Sequence, residues 1–135
     1  MKIESRKSTI NGIKRNMDSN ELKQRTKDFS HRCVKLALSL PKNVLSDHIR
    51  KQLIRCSTSV SSNYRATLLA QSKSVFIAKS SIVIEESDVP INRNWLEFIT
   101  DEKLIDKEYV FPLLNESREL TSIFISTKKT AQRNR

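Results

Sequence analysis

Glycine is nearly missing from this chain. Gly12 is the only one in 135 residues, where ordinary usage of roughly 7% would supply about nine. A Walker A loop and a dinucleotide fingerprint both need several glycines so that backbone can approach phosphate closely. Neither can be assembled here. Tight two-residue hairpins also favour glycine, which disfavours an all-β fold. Cysteine is scarce too: Cys33 and Cys56 lie too far apart for a CxxC pair or a metal-ligand spacing. No apolar run approaches the ~18 residues of a membrane span, and residues 1–18 lack the apolar core of a secretory signal. A cytoplasmic protein with two reduced cysteines and no membrane association is expected. Aromatics make up 6% and fall on apolar stripes, so a base-stacking platform is not expected.

Charge is what the chain has in excess: 25 Lys and Arg against 15 Asp and Glu, for a formal +10. The excess is unevenly spread. Residues 1–18, 19–40 and 41–71 carry +3, +3 and +4, residues 72–101 carry −2, and residues 102–135 carry +2. A basic surface attracts polyanions by releasing their condensed counterions and needs no base readout to do so.

Hydrophobic periodicity gives four helices. Asp18 with Glu21 three residues on forms a capping-box pattern. Leu22, Thr26, Phe29, Cys33, Leu36, Ala37 and Leu40 then recur every three or four residues until Pro41 stops the helix. Lys23, Arg25, Lys27, Arg32 and Lys35 occupy its outer face. A second helix begins near Val44 with the stripe Ile49, Leu53, Cys56, Val60, Asn63 and Thr67, the seam pattern of packed helices. The small hydroxyl residues at its centre allow a neighbouring helix to come close. Ser72 is the expected N-cap of a third helix, whose pattern fails around Pro90 and resumes at Trp95. A fourth runs from about Glu108, with Pro112 tolerable in its first turn. The expected architecture is all-α: an antiparallel up-down-up-down four-helix bundle over residues 19–127, its third helix kinked or interrupted near Pro90. A flexible basic leader (1–18) and a basic C-terminal tail (128–135) flank it.

No residue constellation points to catalysis. His31 and His48 sit on different helices with no carboxylate at a useful offset. The serines at 57, 59, 61 and 62 have neither an activating base nor an oxyanion hole marked nearby, so close packing is their role. The acidic cluster at 85–88 is expected to pair with arginines and lysines of the first two helices. Asn63, on the apolar stripe, is a candidate for fixing register or oligomeric state. Neither a metal nor a cofactor is expected.

Four blocks carry a resemblance: QLIRCSTSVSSNYRA at 52–66, KSVFIAK at 73–79, IVIEESD at 82–88 and WLEF at 95–98. In this order and spacing, over roughly residues 20–130, the chain resembles the four-helix-bundle family of proteins encoded by intervening sequences within bacterial 23S rRNA genes. That family is related to the accessory protein of diversity-generating retroelements, a basic pentamer that binds nucleic acid and a reverse transcriptase. The resemblance implies a ring-like homopentamer and no enzymatic activity. One departure stands out: Val89 to Asn94 is about two residues longer than the family's usual link into the tryptophan, so a bulge or kink is expected there. Together these readings give a non-enzymatic homo-oligomer that binds rRNA or other nucleic acid through phosphate contacts. Lys23, Lys27, Arg50, Lys51, Arg55 and Arg65 are the expected contacts. The alternative is an interaction scaffold that docks a partner enzyme such as a reverse transcriptase.

Overall fold

The structure, a computed structural model, describes residues 18–86 and 88–134, excluding the side chains of 85, 86 and 88. The leader expected at 1–18, apart from Asp18, and the pairing expected of the acidic side chains at 85–88 lie outside the described residues. Those described are all helical apart from turns, with no strand among them. In order come α1 (Ser19–Leu38), α2 (Val44–Leu68), α3 (Lys73–Ser81), a π-helical stretch (Ile82–Glu86), α4 (Asp88–Asp101), a short 3-10 turn (Lys107–Tyr109) and α5 (Phe111–Arg133). α3 and α4 are two arms of the third bundle helix.

The starts obey local chemistry. The Asp18 carboxylate accepts from the Glu21 amide at 2.8 Å, and the Glu21 carboxylate accepts from the Asp18 amide at 3.2 Å. That reciprocal box satisfies two amides that lack helical partners. Asn43 caps α2 through the Ser46 amide at 2.8 Å, and Ser72 caps α3 through the Val75 amide at 3.2 Å.

Cross-helix contacts fix the topology. Ser30 of α1 donates to the Ser57 carbonyl of α2, and Arg50 reaches back to the Ala37 carbonyl. As the first contact moves down α1 the second moves up α2, so the pair is antiparallel. His48 meets Trp95 between α2 and α4, and Arg93 donates to Thr121 between α4 and α5. Lys73 at the start of α3 bonds the Asn134 carbonyl at the end of α5. Each helix therefore runs against its sequence neighbour, and α5 closes the ring against α1. Phe29, Ile49, Leu53, Val60, Leu96, Ile99 and Leu120 fill the shared interior and are fully buried.

The third helix bends as its proline requires. Pro90 has no amide to offer the Glu86 carbonyl four residues earlier. The wider π turn over Ile82–Glu86 ends at that gap. Its effect is to keep both arms on the core: Val83, Ile84 and Val89 are all buried across the irregular stretch. At the C-terminus, α5 continues through Lys128 and Lys129 to Arg133. Part of the stretch read from sequence as a tail is thus the last turns of a helix.

Candidate nucleic-acid interface

The basic first hairpin is the place to look for a polyanion site. Lys27, Lys51, Arg55 and Arg65 are exposed and Lys23 is half-buried. None of the five makes a side-chain hydrogen bond or ion pair among the described residues. The α1–α2 register set by Ser30 with Ser57 puts Lys23 level with Tyr64 and Arg65. At 100° per residue, Lys23 and Lys27 turn toward the α2 side of α1, and Arg65 turns toward the α1 side of α2. These three flank one end of the seam between the helices. Lys51 and Arg55 stand farther round the outer face of α2.

The helices can approach here because the residues between them are small. Ser57, Thr58, Ser59, Ser61 and Ser62 each donate their hydroxyl to a carbonyl three or four residues back. Each is thereby satisfied within its own helix. Ser30 packs over this stretch, 3.3 Å from the Ser61 hydroxyl. Close packing, the role expected of these serines, holds for Ser57, which is buried, and for Ser61, which is half-buried; Ser62 is exposed.

Arg50, unlike Lys23, Lys27, Lys51, Arg55 and Arg65, is engaged within the protein. Its Nε donates to the Ala37 carbonyl at 3.1 Å, and its Nη2 to the Leu40 and Pro41 carbonyls at 2.8 and 3.1 Å. Nη1 pairs with Asp47. Pro41 has no amide for the Ala37 carbonyl four residues earlier, and the Leu40 and Pro41 carbonyls lie beyond the end of α1. Arg50, reaching from the next helix, donates to all three. Four of the five guanidinium donors are thus engaged, and the side chain is a fastener of the first turn.

Arg25 is likewise not an outer-face cation. It donates to both carboxylate oxygens of Glu116, at 2.7 and 2.8 Å, and also pairs with Glu119. Only 14% of its side-chain surface and 11% of that of Glu116 remain exposed. Hydrogen bonding to Glu116 holds the Arg25 pKa above its ordinary value despite the cost of burial. The acids that neutralise this arginine therefore come from the last helix.

Asn63 is half-buried and off the core centre. Tyr64 takes the core position, 5% exposed, with its ring 5.5 Å from that of Phe124. The cause is helical drift. A 3.6-residue helix slips about 20° per heptad against a strict seven-residue pattern, and two heptads beyond Ile49 the next residue faces inward. A buried asparagine does exist, but it is Asn92, on the resumed half of the third helix. Its amide lies 3.8 Å from the Cys33 sulfur, and its Oδ1 has no partner among the described residues. Both cysteines are buried thiols. Burial pushes the Cys33 thiol up to about 12.

The sequence also misplaced some aromatics. Phe29, Tyr64 and Phe124 are buried, but Tyr109 is 63% exposed, and Phe98 and Phe111 are exposed as well. No metal-holding group of His, Cys, Asp and Glu occurs among the described residues. No helix among them is long and apolar enough to cross a membrane.

No family model matches this chain, and no curated protein matches it. A solved structure does: a protein of unknown function from the S23 ribosomal protein family of Bacteroides thetaiotaomicron. The two are 28% identical with a TM-score of 0.70, and the match covers 84% of this chain and 99% of that one. The likeness therefore spans the whole bundle of that protein.

Proposed function

We propose that the chain is a non-enzymatic, self-associating helical bundle of the cytoplasm that binds RNA or DNA through phosphate contacts. The observation that carries this reading is the group Lys23, Lys27, Lys51, Arg55 and Arg65, whose charges meet no carboxylate among the described residues. Cations left unpaired on one hairpin are available to a polyanion, and each phosphate neutralised releases counterions. The ribosomal family name of the similar structure points the same way.

Self-association is supported by a separate face. Ile91, Trp95 and Phe98 fall at i, i+4 and i+7 on α4, with Ile91 and Phe98 more than 40% exposed. Trp95 packs edge-on against His48 and 6.1 Å from Phe98. An aromatic cluster of this kind at the surface suits a contact with another copy. A ring of five is the assembly the family resemblance implies. The same cluster also favours the second reading, a scaffold that docks a partner enzyme.

Titration of structured rRNA fragments and duplex DNA across a salt series tests the binding. The expected result is binding at low salt that weakens steeply as salt rises. Absence of binding at low salt overturns the proposal, and a flat salt dependence overturns its electrostatic mechanism. Native mass spectrometry tests the assembly: a monomer at micromolar concentration overturns self-association.

A further inference from the structure

A cavity of about 590 Å³ opens where the end of α1 meets the start of α5. That size is within the range of about 300–1,000 Å³ typical of small-ligand sites. Its floor is apolar. Leu36 and Leu113 in its wall are buried, and Ile105 is half-buried. Polar side chains stand around that floor. Arg32 and Lys35 lie one turn apart on α1, both exposed, and neither has a hydrogen bond or ion pair among the described residues. Tyr109 lines the cavity with most of its ring in solvent. Glu108 is the acidic residue in the wall; beside two cations it leaves the mouth positive.

An apolar floor, an exposed aromatic face and two unpaired cations on one rim describe a complementary ligand. It has a flat ring, and its negative charge sits a short distance from that ring. Every nucleotide has this form. Bases stack on aromatic faces irrespective of sequence, while phosphates seek guanidinium and ammonium groups. In a duplex the base faces are already occupied by stacking, so only an unpaired nucleotide can offer its base. Lys27 and Lys35 are separated by eight residues of α1, about 12 Å, so a few nucleotides link the basic hairpin to the cavity.

We propose that this cavity seats an unstacked nucleotide of a single-stranded segment, with its base against Tyr109 and its phosphate toward Arg32 and Lys35. This rests on the nucleic-acid reading above and adds to it a preference for unpaired strands. The sequence alone argued against such a platform, because Tyr109 falls within an apolar helical pattern. The structure instead puts it in the 3-10 turn before α5, with its ring outward.

The test uses the full chain, a short fluorescent single-stranded RNA and a blunt RNA duplex of the same composition. The variants are Tyr109→Ala, Tyr109→Phe and Lys35→Gln. Tyr109 is outside the core, so circular dichroism is expected to be unchanged in all three. Tyr109→Ala should weaken single-strand binding by about tenfold or more and leave duplex binding as it was. Tyr109→Phe, which keeps the ring, should retain the affinity. A 2-aminopurine base in the single strand should be quenched by the parent protein and by Tyr109→Phe, but not by Tyr109→Ala. Lys35→Gln should weaken single-strand binding and flatten its salt dependence. Equal losses on single strand and duplex, or no loss with Tyr109→Ala, overturn the nucleotide site while leaving the basic hairpin intact. Failure of the parent protein to bind either RNA overturns the nucleic-acid reading itself, and the nucleotide site with it.

Discussion

Arg25, Arg50 and Lys23 look alike in the sequence, each a cation on an amphipathic helix, yet they do different work. Arg50 donates to carbonyls at the α1–α2 turn, Arg25 ties α1 to α5, and Lys23, half-buried, keeps no hydrogen bond or ion pair among the described residues. Arg25→Ala removes the cation that Glu116 and Glu119 share and leaves the Glu116 carboxylate, 11% exposed, without its two-pronged partner. The expected loss is about 2 kcal/mol, between the values for exposed and buried pairs, read as a lower urea midpoint. An unchanged midpoint would place the pair among those that contribute nothing. A second residue-scale prediction concerns alkali. Burial raises the Cys33 thiol from 9.0 to about 12 and the Tyr64 phenol from 10.0 to about 12. Both groups are protonated in the fold and lose their protons earlier in the unfolded chain. Their contribution is complete below the unfolded values and is lost as pH rises toward 12. Stability should therefore fall from about pH 9 upward, with a shallower fall in Cys33→Ala measured relative to its own neutral value. Thiol reagents at about pH 8 should leave Cys33 unmodified until the protein unfolds.

At the scale of elements, the shortage of glycine leaves a mark at the end of α4. The Leu104 amide bonds the Ile99 carbonyl and the Lys103 amide bonds the Thr100 carbonyl, both at 3.1 Å. This is a Schellman closure, and its left-handed position usually belongs to glycine. Here it is Lys103, with φ of 55°, the positive-φ residue other than glycine among those described. A Cβ in that conformation costs about 1 kcal/mol. Lys103→Gly should recover most of it, less the added freedom of the unfolded chain, and thermal denaturation should show a higher Tm. A lower Tm would mean the lysine side chain contributes more than its backbone costs. The starts of α1 and α3 and the end of α1 were legible in sequence because they depend on nearest neighbours: the Asp18 and Glu21 box, Ser72 and Pro41. The bend near Pro90 was legible for the same reason, though its π form was not, since that depends on which carbonyls the packed arms leave open. Tyr64 in place of Asn63 was not legible either, because helical drift accumulates over turns that a local stripe cannot register. The roles of Arg25 and Arg50, and the outward ring of Tyr109, depend on residues from other helices. No spacing within one helix encodes them.

Over the whole molecule, up-down-up-down packing turns an uneven sequence into a polar object. One end gathers the start of α1, the end of α2, the start of α3 and the end of α5. Lys23, Lys27, Arg65, Lys73, Lys129 and Arg133 lie there against Asp18, Glu21 and Asp28. The opposite end mixes Arg32, Lys35, Lys42, Arg50, Lys51, Lys103 and Lys107 with Asp47, Asp101, Glu102, Asp106 and Glu108. Equal numbers of cations removed from the two ends should therefore have unequal effects on duplex RNA binding. The pair Lys23→Gln with Arg65→Gln takes both walls of the α1–α2 seam at one level. If each contacts a phosphate, the slope of log K against log salt should fall by about two. The pair Lys42→Gln with Lys103→Gln makes the same change in net charge where Asp47, Asp101 and Glu102 stand among the cations, and should leave the slope unchanged. Equal loss of slope in both pairs would show that the charge acts as an undivided field, with no address at the first hairpin.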